Sequence, residues 1–279
     1  MAQINLEHKG NENWLYLKVY CTPNMANPLL SDVFWPFISE KKKESIISKW
    51  FFTRYYDVAP HLRLRVKIND LKQLPLIYEG LSSLLFPLNE NNRIGKYSKE
   101  KYHPEINRYG KSNIEVVEDI FEVQSEFALS LLHHGADERL RIKYCIDLIE
   151  HMFESLDLSV NDRRAIVSAS LEYYKGPIVF NKSSKRKLGK EYRIINAIGV
   201  DESENSELSL LTTSLRRNLE GHYAKLTLGT LHHFGMKVTS LGHMLANKLF
   251  IHNHKEYEFL IYEFLERRLI TNIKKRKAV

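Results

Sequence analysis

A chain of 279 residues with 43% apolar side chains can bury a substantial core, and it is near the size at which one domain becomes two. Its formal charge of +7 favours an anionic partner, such as an acidic peptide or RNA, and says nothing about fold. No amino-terminal apolar run has signal-peptide length and no later stretch approaches the roughly 18 apolar residues of a span, so secretion and membrane spanning are not expected.

In chain order, Trp14 to Tyr20 alternates and is rich in strand formers, and Thr22-Pro23-Asn24 turns the chain out of it. The lysines of Ser39–Ile47 are expected on a wet helical face. Trp50 to Val66 (WFFTRYYDVAPHLRLRV) then reads as an aromatic strand, a Pro-containing turn and a strongly alternating strand. Strand side chains alternate, so His61, Arg63 and Arg65 share one face while Leu62, Leu64 and Val66 share the other. Two neighbouring guanidiniums suit a carboxylate, or a carbonyl oxygen gaining charge, because each is a permanently charged planar fork. The plainer reading is a positive, solvated strand face that discourages edge pairing.

Pro75 is placed in the first turn of a helix to about Leu85, Asn89–Asn92 in a turn, and Ile94–Ile106 in a strand bent at His103-Pro104, which makes the first 110 residues mainly sheet. From Ser112 the period changes to helical: Ile114, Val117, Phe121, Ala128 and Leu131 run to Gly135 behind a Ser112/Glu115 capping pattern. Helices follow over Asp137–Leu156 and Ser159–Tyr174. After a polar basic loop, Asn181–Glu191, and an acidic stretch, Asp201–Glu207, three more are expected: Leu208–Phe234, Thr239–Ile251 and Lys255–Thr271. The tail is basic. The expected fold is α+β, mainly antiparallel sheet from the N-terminal part packed against a helix-rich C-terminal part, as one domain over 1–279.

Cys21 and Cys145 match no metal or redox spacing and read as reduced, buried residues of a cytoplasmic protein. His133-His134, His232-His233, His252 and His254 lack the spacing and companions of a zinc site. With no phosphate loop or dinucleotide fingerprint either, no metal and no cofactor is expected. Basic runs without an RNA-binding motif argue against direct RNA binding. In the Thr239–Ile251 helix, His243 and Asn247 share a face one turn before Phe250, and such a histidine is more often a core residue than a catalyst.

The segments Trp14–Tyr20, WFFTRYYD with PHLRLR, Asn107-Arg-Tyr-Gly110 and Ser240–Phe250 (SLGHMLANKLF) resemble, in order, the elimination domain of class I lantibiotic dehydratases, which also occurs free-standing in lanthipeptide and thiopeptide pathways. The likeness spans about residues 14 to 270. It implies a lyase that expels glutamate from glutamylated Ser or Thr of a ribosomally made precursor peptide, leaving dehydroalanine or dehydrobutyrine. At this length a separate tRNA-dependent glutamyl transferase is the expected partner, and a homodimer is left open. The resemblance implies site roles for Arg63, Arg65, Arg108 and His243, which are expected to converge on one basic pocket. Three departures bear on local geometry and activity: Lys111 for a second glycine, Gln124-Ser125 for an Asp-Ser pair, and Lys248 for an arginine after Asn247. The rivals are a thiopeptide pyridine synthase, joining two dehydrated residues in a formal cycloaddition, and a non-catalytic precursor-peptide-binding subunit.

Overall fold

The structure, a computed structural model, describes residues 12–175, 182–198, 207–227 and 231–277. These fall into two compact units divided between Ile114 and Glu115. The amino-terminal segment, nearly all of the acidic stretch Asp201–Glu207 and the side chains of His232, His233 and the basic tail lie outside the described residues.

The first unit is built on a four-stranded antiparallel sheet: β1 (Trp14–Tyr20), β2 (Ile47–Tyr56), β3 (Pro60–Ile68) and β4 (Tyr97–Glu100), in the order β2-β3-β1-β4. The register sets Trp50, Val66 and Leu15 side by side, and then Phe52, Leu64 and Leu17. All six are buried, which gives the sheet one apolar face. Helix α1 (Pro23–Pro28), a π-helical stretch (Leu29–Phe34) and α2 (Trp35–Lys43) form a continuous helical run with Leu29, Leu30, Phe34 and Ile38 fully buried, and the Trp35 ring meets Trp50 at 5.6 Å. In α3 (Leu74–Glu90), a Cβ on Gly80 would stand 2.7 Å from the Phe37 ring, so glycine permits the close approach of α2 and α3.

Two expectations for this unit are corrected. Helical segments occupy much of the chain between strands, so the first 110 residues are a sheet with helices rather than mainly sheet. The strand expected over Ile94–Ile106 is limited to Tyr97–Glu100; past it, Tyr102 turns onto Trp14 at 4.9 Å and Phe51 at 6.1 Å, and Pro104 has no N–H to extend a ladder. The chain then makes the short helix α4 (Ile106–Tyr109) and turns at Gly110, φ 86°.

The second unit is helical: α5 (Ile114–His133), α6 (Glu138–Ser155), α7 (Val160–Lys175), α8 (Lys182–Ala197), α9 (Glu207–Tyr223), α10 (Leu231–Leu249) and α11 (His254–Lys277). Local chemistry sets several ends. Gly135 takes φ +63° after α5, the Asp137 carboxylate accepts the Leu140 N–H at 2.8 Å to open α6, and Ser159 Oγ accepts the Asp162 N–H at 3.2 Å to open α7. The sheet confined to the N-terminal part and the helices beyond it make the chain α+β.

Helix α8 corrects the expected basic loop. Lysine and arginine are good helix formers, Ile195 is buried, Tyr192 meets Phe264 at 5.4 Å, and Arg139 of α6 holds Glu191 through two bonds of 3.0 and 3.1 Å. The break expected after Phe234 lies earlier, beyond Tyr223, and the chain runs as unbroken helix through Thr239 and Ser240. His243 therefore sits well inside α10 rather than one turn from its start. Cys21 and Cys145 are free and buried; burial pushes the Cys21 thiol up to about 11 and Cys145 well above the usual range.

Candidate active site

On the sheet face opposite the apolar one, β3 presents His61, Arg63 and Arg65 as the alternation requires. Tyr20, Lys18 and Tyr16 of β1 stand directly across from them on one side, and Tyr55, Thr53 and Phe51 of β2 on the other. The Arg63 guanidinium lies over the Tyr55 ring, 3.4 Å from its centroid, and its Nε donates to His61 Nε2 at 3.1 Å. Arg65 stacks against Tyr16, Phe51 and Tyr102 at 4.7, 5.2 and 5.5 Å and donates from Nη1 to Thr53 Oγ1 at 3.3 Å. Desolvation, foremost, lowers the Arg65 pKa, yet no plausible shift removes its charge near neutrality. Its Nε is buried without a hydrogen-bond partner, so this cation is held by rings more than by carboxylates.

At the end of the same face Lys18 Nζ contacts Asp57 at 2.5 Å, and this bond, foremost, holds the Asp57 carboxyl well below the usual carboxylate range. Arg54, by contrast, faces the apolar side opposite Leu62, is buried, and donates to Asn27 Oδ1 at 2.7 Å; it anchors α1 and is structural. Arg108, on α4, is exposed and paired with Glu105 at 3.0 Å, an arrangement of a kind that stabilises little.

His243 projects from α10 in the second unit. Its Nδ1 lies 2.7 Å from Glu258 Oε1 of α11. The histidine side chain is 37% exposed while Glu258 is 2% exposed. Burial first, and then the charge of the same carboxylate, raises the pKa of Tyr174 of α7, whose ring stacks on Tyr262 at 5.7 Å. A Cβ on Gly242 would stand 2.9 Å from the Tyr262 hydroxyl, so glycine beside His243 admits this approach of α11. Sequence reasoning missed Glu258, although the signal was present: it falls on the stripe that Ile261, Tyr262 and Leu265 bury, and a carboxylate there calls for a partner.

The departures also have structural places. Gln124 is buried in α5 and donates to the Leu241 carbonyl at 3.3 Å, two residues before His243, and Ser125 Oγ bonds the Phe121 carbonyl at 2.7 Å. Lys248 is 1% exposed, its Nζ 3.4 Å from the Met244 carbonyl and 4.7 Å from the Phe121 ring centroid. Lys111 is exposed. His134 and His254 bond backbone carbonyls, Ser130 O at 2.8 Å and Phe250 O at 2.9 Å. Among the described residues, no three of His, Cys, Asp and Glu group as a metal set, and no helix is long and apolar enough to cross a membrane.

Thus Arg63 and Arg65 share one face, Arg108 belongs to the same unit, and His243 belongs to the other. The sequence profile of the family described as "Lantibiotic biosynthesis dehydratase C-term" matches residues 14–270 and so includes all four. The chain belongs to this family of lantibiotic dehydratase C-terminal domains. Among curated relatives, the nisin biosynthesis protein NisB of Lactococcus lactis subsp. lactis is 34% identical over 120 residues, 43% of this chain and 12% of NisB. The epidermin biosynthesis protein EpiB of Staphylococcus epidermidis is 21% identical over 96% of this chain and 27% of its own length. The chain thus spans only a minor part of the curated relatives it matches. Among solved structures, the tRNA-dependent lantibiotic dehydratase MibB of Microbispora sp. 107891 shares the fold with a TM-score of 0.71 at 19% identity, over 99% of this chain and 29% of MibB. TbtD, a pyridine synthase from thiomuracin biosynthesis, gives 0.57 at 14% identity, over 92% of this chain and 99% of TbtD.

Proposed function

We propose that the chain is the lyase of a split lantibiotic-type dehydratase, eliminating glutamate from glutamylated Ser or Thr of a precursor peptide in the cytoplasm, without a metal or cofactor of its own. The observation that carries the reading is the family match across residues 14–270, a span that includes His243 with its bond to a buried carboxylate. In the reaction a base takes the Cα proton, the Cα–Cβ double bond forms, and the Cβ–Oγ bond breaks with its electron pair leaving on the glutamate carboxylate. An amide Cα is a weak acid, so cationic donors at the developing enolate oxygen lower the barrier. Arg63 and Arg65 are assigned that role. With Nε committed to His61, Arg63 keeps its terminal nitrogens for an anion.

Arg108 is assigned to the remaining carboxylate of the glutamyl group, which a guanidinium can hold through two bonds. Its present partner, Glu105, is an exposed neighbour that a substrate carboxylate could displace at little cost. His243 is assigned the proton transfer. The glutamyl ester itself is supplied in this reading by a separate tRNA-dependent transferase, so the substrate of this chain is the modified precursor peptide.

The test is mass spectrometry of the precursor peptide incubated with the transferase, glutamate, tRNA and its synthetase, with and without this protein. Loss of one water per modified residue only when the protein is present supports the reading. His243→Ala should leave the protein folded and let glutamylated peptide accumulate, with elimination slowed roughly 10² to 10⁴-fold. Full-rate elimination by that variant removes His243 from the mechanism. A second reading, pyridine synthesis, has the near-complete coverage of TbtD behind it. Consumption of dehydrated rather than glutamylated peptide selects it.

A further inference from the structure

We infer that Glu258 is a positioning residue that fixes the His243 imidazole in one tautomer, with the hydrogen on Nδ1 and Nε2 left to exchange a proton with substrate. This rests on the proposed role of His243. A carboxylate can only accept, so at 2.7 Å the shared hydrogen comes from Nδ1. Beside it stands Tyr174, whose hydroxyl burial first and then the Glu258 charge keep protonated. The carboxylate thus joins α11 to α10 through the His243 bond.

Stability alone gives little reason for this arrangement. Glu258 interrupts the buried stripe of α11, and a buried charge pair is often no more stabilising than apolar residues of the same volume. Its neighbours include Cys145, whose thiol burial and then Glu258 hold neutral. The layout is a deeply buried carboxylate behind a histidine that remains partly open to solvent. That division is suited to orienting an imidazole: the hidden nitrogen is committed to a fixed acceptor, and the other is available for chemistry.

The experiment uses the full chain and two readouts. Long-range 1H–15N spectra report the tautomer of neutral His243, assigned by loss of its signals in His243→Gln, and the coupled transferase assay reports elimination. The wild type should show the Nδ1–H tautomer. In Glu258→Gln the amide can donate its N–H to Nδ1 as well as accept from it, so the single Nδ1–H tautomer should be lost and elimination should slow by roughly 10² or more. Glu258→Asp should recover the tautomer and part of the rate, which a purely structural role would not predict; it also carries the test if the glutamine variant fails to fold. A wild-type Nε2–H tautomer, a folded Glu258→Gln with unchanged tautomer and rate, or a folded Glu258→Asp that loses the tautomer at full rate overturns the inference. A wild type that is inactive on glutamylated peptide, yet shows Nδ1–H lost in Glu258→Gln, overturns the elimination reading and leaves the positioning intact.

Discussion

Arg63 Nε donates to His61 Nε2 at 3.1 Å, and this bond lasts only while the His61 ring is neutral. His61 Nδ1 donates to the Ala59 carbonyl at 3.0 Å, so Nε2 is the bare nitrogen, and protonating it would set an N–H against the N–H of Arg63. Burial is the main cause that lowers the His61 pKa from 6.5, with the Lys18 and Arg63 charges acting the same way; the Ala59 bond and Asp57, 3.6 Å away, oppose it. The unfolded chain therefore binds the proton more readily, and stability should be complete above about pH 6.5, fall as pH drops through that value, and level off below the folded pKa. Urea denaturation between pH 5 and 8 should show this slope, flattened in His61→Gln; an equal slope in the variant would exclude His61 as its source.

Arg65 should separate function from stability. Its guanidinium is desolvated among Tyr16, Phe51 and Tyr102 with one side-chain hydrogen bond to Thr53 and a partnerless Nε, so an apolar side chain of similar length keeps most of the packing and loses the desolvation cost. Arg65→Met is expected to melt no lower than the wild type and to lose most elimination activity. A variant that is severely destabilised, or that stays fully active, contradicts this assignment.

The legible parts of the sequence were those whose pattern is local. Alternation set β1 at Trp14–Tyr20 and the two faces of β3, because a strand displays its burial every second residue. Helix α8 was hidden by its charge: Leu188, Tyr192 and Ile195 fall at helical spacing, but within Asn181–Glu191 Leu188 is the one apolar side chain, so the stretch carries a weak signal. The aromatic enclosure of Arg65 needs Tyr16, Phe51 and Tyr102 from three other segments, and the partner of His243 lies 15 residues on, across a helix junction. Strand pairing and helix packing create both neighbourhoods, so sequence pattern identified the cations and the histidine without showing what holds them.

Arg108 makes the opposite case to Arg65. Its side chain is 46% exposed and its pair with Glu105 joins neighbours on one short helix, so Arg108→Ala should change folding stability by no more than about 0.5 kcal/mol. If it anchors the glutamyl carboxylate, the same variant should raise KM for glutamylated peptide, and Arg108→Lys should restore it only in part, because a lysine cannot make the two-bond fork. Unchanged KM in the alanine variant would release Arg108 from that role.

Two helical glycines should respond with opposite signs to alanine. Gly221, in α9, has nothing within 4 Å of the position a Cβ would take, so Gly221→Ala should gain most of the helix-propensity difference, about 1 kcal/mol. Gly242 carries the same intrinsic gain, but its Cβ would fall 2.9 Å from the Tyr262 hydroxyl and 3.4 Å from Ile149 Cδ1. Tyr262 is fully buried and stacked on Tyr174, so it cannot yield by turning into solvent, and overpacking of this kind costs roughly 1 to 3 kcal/mol. Gly242→Ala should therefore be destabilised by up to about 2 kcal/mol net, measured as a lower urea midpoint at unchanged slope. Because Gly242 precedes His243 and Tyr262 shares α11 with Glu258, the displacement reaches the His243 pair, and elimination should fall by more than the loss of folded protein explains. A Gly242→Ala protein as stable as Gly221→Ala would show that α10 and α11 do not approach as closely as this contact requires.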